Sequence, residues 1–179
     1  MDGLISAGVS VLSAHLKAAN HQVQLYDTTF IDTGKKTGDF YREQLGQIIP
    51  VDISKHGVVR KKMNLNQLQK DFREEVLKYK PGLIGFSVLE ITYDQGLELA
   101  KAIEDLSIPV IFGGIYPTFA PKIVLRESCI DMICEGEGEE MFVELANNLE
   151  NGKDITKILN LTVKKNGKIF RSGNEVTLD

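Results

Sequence analysis

The sequence predicts an α/β fold: a Rossmann-like (flavodoxin-like) parallel sheet with helices on both faces and a C-terminal β-hairpin. Three observations carry this. Short apolar runs alternate with amphipathic stretches at intervals of roughly 20 to 26 residues, the spacing of βαβ units with right-handed crossovers. "LIGFSVL", residues 83–89, is apolar almost throughout, as in a parallel strand covered on both faces. Asn166-Gly167 sits between two alternating stretches, the strongest short hairpin signal.

The elements follow in order. "GVSVLSAHLKAAN", residues 8–20, sets Val9, Leu12, Leu16 and Ala19 at helical spacing, with Asn20 as a stop. "HQVQLYD" then alternates, predicting a strand over 22–26. Residues 27–63 are polar, contain glycine and hold no sustained period. A stretch that long between regular elements serves a function or is mobile, so it either covers a ligand face or forms a solvated insertion. "GQIIPVDI", residues 46–53, is its spare apolar run, and Pro50 argues against a central strand there.

Regularity returns with a helix over 64–80, capped by Asn64 or Asn66 and followed by Pro81; Leu65, Leu68, Phe72, Val76 and Leu77 form its apolar face. The strand at 83–88 leads to a helix with Leu97, Ala100, Ile103 and Leu106 inward. Then come a strand over 108–112, a short helix over 118–127, a strand over 130–134 and a helix stopped by Gly152. No strand precedes the first helix, so the first strand of a flavodoxin-like sheet is missing from this reading.

Composition narrows the function. The 179 residues suffice for one domain with a real core. Hydrophobic residues make up 42% and charged residues 26%, an ordinary soluble balance. A net charge of −4 without a basic, aromatic-studded stripe gives nucleic-acid binding no support. There is no membrane span and no signal-peptide layout, and a cytoplasmic protein is expected. Cys129 and Cys134 lie roughly 16 Å apart if the strand between them is extended, at ~3.3 Å per residue, too far to bridge. They read as buried free thiols. His15, His21 and His56 form no ligand spacing, and neither a metal site nor a catalytic residue is assigned.

In open parallel sheets, ligands bind at the carboxyl ends of the strands. Three loops lie there: "SVLEITYD" with Ser87, Leu89, Glu90, Thr92 and Tyr93; "GGIYPT" with Gly113, Gly114, Ile115, Tyr116, Pro117 and Thr118; and "EGEGEE" with Glu135, Gly136, Glu137 and Gly138. Each has two readings. Ser87 and Thr92 cap the next helix or meet a ligand. Gly113-Gly114 makes a left-handed turn or lets a large molecule lie against backbone. The carboxylates of the third loop cap a helix N-terminus or hold a metal. G-x-G-x-x-G and P-loop fingerprints are absent, which disfavours nicotinamide and nucleoside triphosphates. Together the three exits make a broad surface suited to a bulky planar or nucleotide-bearing ligand.

These residues also resemble a known family. "KPGLIGFSVLEITYDQGLELAKAI", "IPVIFGGIYPTFAP" and "ICEGEGEEMFVELANNLENG" look like the N-terminal cobalamin-binding domain of cobalamin-dependent radical S-adenosylmethionine enzymes. The likeness runs from about Gly8 through the hairpin, and the G-G-x-(H/Y/F)-P-T block followed by G-E-G-E is its most specific part. It implies cobalamin held over the strand ends, with Ser87, Thr92, Gly113 and Gly114 along the nucleotide tail and the Glu135–Gly138 turn as another wall. Tyr116 stands where relatives often have histidine. The D-x-H-x-x-G motif of other cobalamin domains is missing: Asp2 and Gly8 bracket its place, but Leu4 stands where the cobalt-ligating histidine would be. Cobalamin is therefore expected base-off without a histidine from this domain.

The resemblance further implies a cobalamin-binding domain over 1–160, with 27–63 as an irregular insertion, and a hairpin plus linker start over 161–179. The C-x3-C-x2-C cluster motif of the radical domain is absent. This chain alone is expected to catalyse nothing. The intact enzyme, expected to be of the methyltransferase or a related type, would add a radical domain with a 4Fe-4S cluster and S-adenosylmethionine. The rival reading is a stand-alone flavodoxin-like regulatory or partner-binding domain without cofactor.

Overall fold

Val110, Ile111 and Phe112 are all buried, and their side chains alternate between two separate cores. That alternation marks a strand covered on both faces, and the fold is laid out around it. The structure is a computed structural model that describes residues 6–34, 38–47, 49, 53–57 and 59–177. Strands β3 (Ile84–Ser87), β4 (Val110–Gly113) and β5 (Met132–Cys134) run parallel, with Phe86 beside Phe112 and Phe112 beside Ile133. Beyond β5 the sheet turns antiparallel through β6 (Leu161–Lys165), β7 (Lys168–Arg171) and β8 (Asn174–Val176).

One face is covered by α3 (Leu65–Tyr79), α4 (Glu90–Lys101), α5 (Ile115–Phe119) and α6 (Pro121–Leu125). Leu68, Phe72, Leu97, Ala100, Val124 and Leu125 meet Phe112 and Ile133 there. On the other face, Met141 and Leu145 of α7 (Glu139–Glu150) pack on Ile111, Met132 and Cys134. Helix α1 (Ala7–Ala18) lies on α7, with no fully buried residue of its own. Its Val9, Leu12 and Leu16 are half-buried, the stripe the spacing predicts, and His21 Nε2 meets Asn147 Oδ1 at 3.1 Å just beyond it. The parallel sheet with helices on both faces is thus as predicted.

Helix α3 shows local chemistry matching the sequence. Asn64 Oδ1 accepts from the Gln67 N–H at 2.9 Å, and Gln67 Oε1 accepts from the Asn64 N–H at 2.9 Å, a reciprocal capping box. Lys80 ends the helix in the left-handed region at φ 55°, just before Pro81. Arg73 ties α3 to the end of α4, donating to the Ala102 carbonyl at 2.7 Å.

Several expectations need correction. Residues 21–28 form no strand. Their anchor is α3 instead: the Tyr26 ring lies 5.0 Å from that of Phe72, and its hydroxyl donates to Asp71 at 2.6 Å. Strand β3 is therefore the sheet edge among the described residues, which leaves Gly85 and Ser87 exposed although the run reads as doubly covered. The helix expected over 118–127 is two, α5 and α6, broken at Ala120 because a residue preceding proline avoids helical backbone. The C-terminal hairpin forms as expected, turning at Asn166-Gly167, and a second turn at Ser172-Gly173, at φ 45° and 90°, extends it into a three-stranded meander. Within 27–63, β1 (Ile31–Asp32) pairs in parallel with β2 (Lys61–Lys62), and α2 (Gly38–Gln44) lies between them. Of "GQIIPVDI", residues 48 and 50–52 lie outside the described residues.

Both cores should respond to truncation as closed packing does. Leu145→Ala, at a position with no exposure, should cost about 2–5 kcal/mol in urea unfolding, while Asn64→Ala, which removes only the cap, should cost about 1 kcal/mol.

Candidate functional site at the carboxyl ends of the parallel strands

The exits of β3, β4 and β5 are joined by backbone and hydroxyl contacts. The Val88 N–H donates to the Gly113 carbonyl at 2.9 Å, which draws the first two loops together. Thr118 Oγ1 donates to the Gly114 carbonyl at 3.0 Å and accepts from the Gly136 N–H at 3.2 Å, so one hydroxyl joins the second loop to the third. The third loop is pinned in turn by Cys134, whose Sγ lies 3.6 Å from the Gly136 carbonyl.

The two glycines of the second loop differ. Gly114 has φ 100° and ψ −169°, a region essentially reserved for glycine. A Cβ there would come within 2.7 Å of the Val88 carbonyl oxygen. Its lack of a side chain is demanded by the protein's own backbone. Gly113 carries no such demand: a Cβ would meet only Cys134 Cβ at 3.5 Å, an ordinary contact.

The other predicted site residues also separate. The Thr92 hydroxyl accepts from the Leu89 N–H at 2.9 Å and donates to the Leu89 carbonyl at 3.2 Å, so it caps α4, while Ser87 is exposed at the strand end. Tyr93 points into the core, 7% exposed, its ring 4.6 Å from that of Tyr116 and 6.1 Å from that of Phe112. Its buried hydroxyl has no hydrogen-bond partner among the described residues, and burial, with Glu127 nearby, pushes its pKa up to about 12. Pro117 is buried and Tyr116 half-buried. Glu90, Gly136 and Glu137 are exposed, whereas Gly138 faces Leu12 of α1 and Cys134. Glu135 is bonded to the C-terminal meander, its Oε1 accepting from Arg171 at 2.7 Å and its Oε2 from Thr162 at 2.6 Å.

Four large apolar side chains stand open here. Leu89 is 47% exposed, Ile91 52%, Ile115 62% and Phe119 84%. Ile115 and Phe119 share one face of α5 at i, i+4 spacing; Leu89 and Ile91 flank the start of α4, next to them through the Val88–Gly114 contact. Ile91 and Phe119 were missed in the sequence, because an apolar residue at helical spacing reads as core. Residues 87–93, 113–119 and 134–140 hold Glu90, Glu135, Glu137, Glu139 and Glu140 and no lysine or arginine. Such a surface repels polyphosphates and accepts a large, apolar-faced or cationic group. Among the described residues no cluster of three or more His, Cys, Asp or Glu side chains could hold a metal, and no helix is long and apolar enough to cross a membrane.

The three parallel strands of this mixed sheet thus end in loops with small residues, open apolar side chains and no lysine or arginine of their own, at the end of the sheet where open α/β folds bind ligands. The chain belongs to the B12 binding domain family, whose model matches residues 52–146, just over half of the chain. The cofactor of that family is cobalamin. A Pyrococcus horikoshii protein named an uncharacterized methyltransferase is 32% identical over 102 residues, covering 55% of this chain and 22% of its own length. The anaerobic magnesium-protoporphyrin IX monomethyl ester cyclase of Rubrivivax gelatinosus is 31% identical over 93 residues, covering 49% and 17%. The chain thus spans about a fifth of the length of these relatives. Among solved structures, the radical S-adenosylmethionine methyltransferase TsrM from Kitasatospora setae, with cobalamin and a 4Fe-4S cluster bound, superposes with a TM-score of 0.54 at 21% identity, covering 69% of this chain and 24% of that one. At that identity the likeness is one of fold.

Two predictions follow from this geometry. Gly114→Ala should cost about 1–3 kcal/mol from backbone conformation alone, with the overlap on Val88 adding to it, whereas Gly113→Ala should stay within about 0.5 kcal/mol in thermal unfolding. Equal losses would contradict the assignment. The thiols supply the second. Both cysteines are free and buried; burial pushes Cys134 up to about 11, helped by Glu139, and raises Cys129. An acid with a raised pKa stays protonated below it, so neither should react with iodoacetamide near pH 8 until urea is added. Fast native labelling of Cys134 would show that the third loop opens.

Proposed function

We propose that this chain holds cobalamin across the carboxyl ends of β3, β4 and β5, as the cofactor-carrying module of a radical S-adenosylmethionine enzyme of the methyltransferase type. The observation that carries the reading is the row of exposed apolar side chains at Leu89, Ile91, Ile115 and Phe119, on the same loops as the small residues. A corrin is a broad ring with apolar faces, a cationic metal and amide-bearing edges. The open side chains suit its face, and the loops themselves, acidic and without lysine or arginine of their own, suit its charge and its amide donors. The cofactor fits the residues present.

In this reading Ser87 and Gly113 lie along the nucleotide tail, where a ligand rather than the fold accounts for the missing side chain at Gly113. Gly114, Tyr116 and Thr118 set the loop that carries it, and the Glu135–Gly138 turn forms the far wall. When bound, cobalamin supplies a cobalt centre able to carry a one-carbon group. The chain's own residues bind it, orient it and shield one face from water. Residues 84–140 contain no histidine, which supports base-off binding without an imidazole from this sheet. Leu4, which stands where the ligating histidine of other cobalamin domains would be, lies outside the described residues. The radical domain, its 4Fe-4S cluster and S-adenosylmethionine belong to the intact enzyme in this proposal.

Hydroxocobalamin mixed with the chain and passed through gel filtration should elute with the protein in stoichiometric amount. Its visible spectrum should be that of the base-off form, unchanged when His15, His21 and His56 are all replaced by alanine. A colourless protein peak would overturn the proposal in favour of a cofactor-free regulatory domain.

A further inference from the structure

Arg171 belongs to none of the three loops, yet it is bonded into the third. Its Nη2 donates to Glu135 Oε1 at 2.7 Å, and its Nε lies 3.4 Å from Thr162 Oγ1. Thr162, 1% exposed, donates in turn to Glu135 Oε2 at 2.6 Å. Both oxygens of Glu135 are therefore engaged from β6 and β7. The backbone is gripped from the same side: the Glu135 N–H donates to the Asn160 carbonyl at 2.9 Å, and Asn160 Nδ2 donates to the Glu137 carbonyl at 3.0 Å. One residue on from Glu135, the Gly136 N–H reaches Thr118, and Thr118 reaches Gly114. Of the four carboxylates in residues 135–140, Glu135 is the one with a cationic partner among the described residues.

We propose that Arg171 is a positioning residue for the cofactor site: acting through Glu135, it fixes the turn that walls the nucleotide tail. The proposal rests on the cobalamin reading above. Charge-assisted bonds to both carboxylate oxygens hold Glu135 toward the meander. Without the guanidinium, a half-buried carboxylate beside three others lacks its counter-charge and turns to solvent, and the Gly136 N–H loses its fixed aim at Thr118. Because the corrin face rests on the first two loops in that reading, the loss should fall on the tail.

The test compares cobalamin with cobinamide, which has the same macrocycle and no nucleotide tail, by absorbance titration of the full chain. Arg171→Ala should weaken cobalamin binding about tenfold and cobinamide binding less than about twofold, since charged hydrogen bonds carry the difference. Arg171→Lys, which keeps the charge but not the planar fork, should recover part of the loss. Adding Glu135→Gln to Arg171→Ala should cost little more, as expected of residues acting as one unit. If Arg171→Ala does not fold, Arg171→Lys carries the same two-ligand comparison. Unchanged cobalamin binding would overturn the proposal, as would equal loss of both corrinoids in step with a falling melting temperature. Failure of the unaltered chain to bind either corrinoid would instead sink the cofactor reading itself.

Discussion

The backbone of Gly114 rests against the backbone of Val88, and the strand-end surface is arranged around that contact. A Cβ at residue 114 would lie 2.7 Å from the Val88 carbonyl oxygen, and the Val88 N–H is bonded to Gly113. Two parallel strands are thereby joined beyond the last rung of their ladder. The helices that start there, α4 and α5, begin side by side, with the rings of Tyr93 and Tyr116 in tilted contact between them. Leu89 and Ile115 emerge next to each other because the residues before them touch.

From this contact the rest of the site is set by single groups. Thr118 carries the geometry to the third loop, and Glu135 carries it to the meander. Ordering Glu135 and Arg171 costs up to about 2 kcal/mol of rotamer entropy each, and the charge-assisted bonds to both carboxylate oxygens offset it. The carboxylates left over face outward, where water screens their mutual repulsion.

Much of this was legible in the sequence. The strands at 83–88 and 108–112, Asn64 as one of two caps, the turn at Asn166-Gly167 and the three loops all follow from residue type and spacing, but the double cover expected at 83–89 belongs to 110–112. What was not legible depended on long-range contact. Residues 22–26 alternate as a strand would, yet Tyr26 finds its partners in Phe72 and Asp71, which no local pattern reveals. The glycines at 113 and 114 look alike in sequence, and only the position of Val88 tells them apart. Phe119 was hidden for the opposite reason: its spacing says core and its surroundings say surface. Arg171 carries no signal, because its partner lies 36 residues away.

The change from parallel to antiparallel at β5 has a consequence for how the chain assembles. The turns at 166–167 and 172–173 close in microseconds, whereas β3, β4 and β5 meet only after whole helices have been placed between them. On a ribosome the order is reversed. β5 emerges first and waits for β6, about 30 residues later, which at roughly 5–20 residues per second is on the order of seconds. Throughout that interval the outer edge of β5, with apolar Met132 and Ile133, has no partner. The newborn chain is most vulnerable to mispairing there, and the fast meander ends that exposure as soon as it arrives.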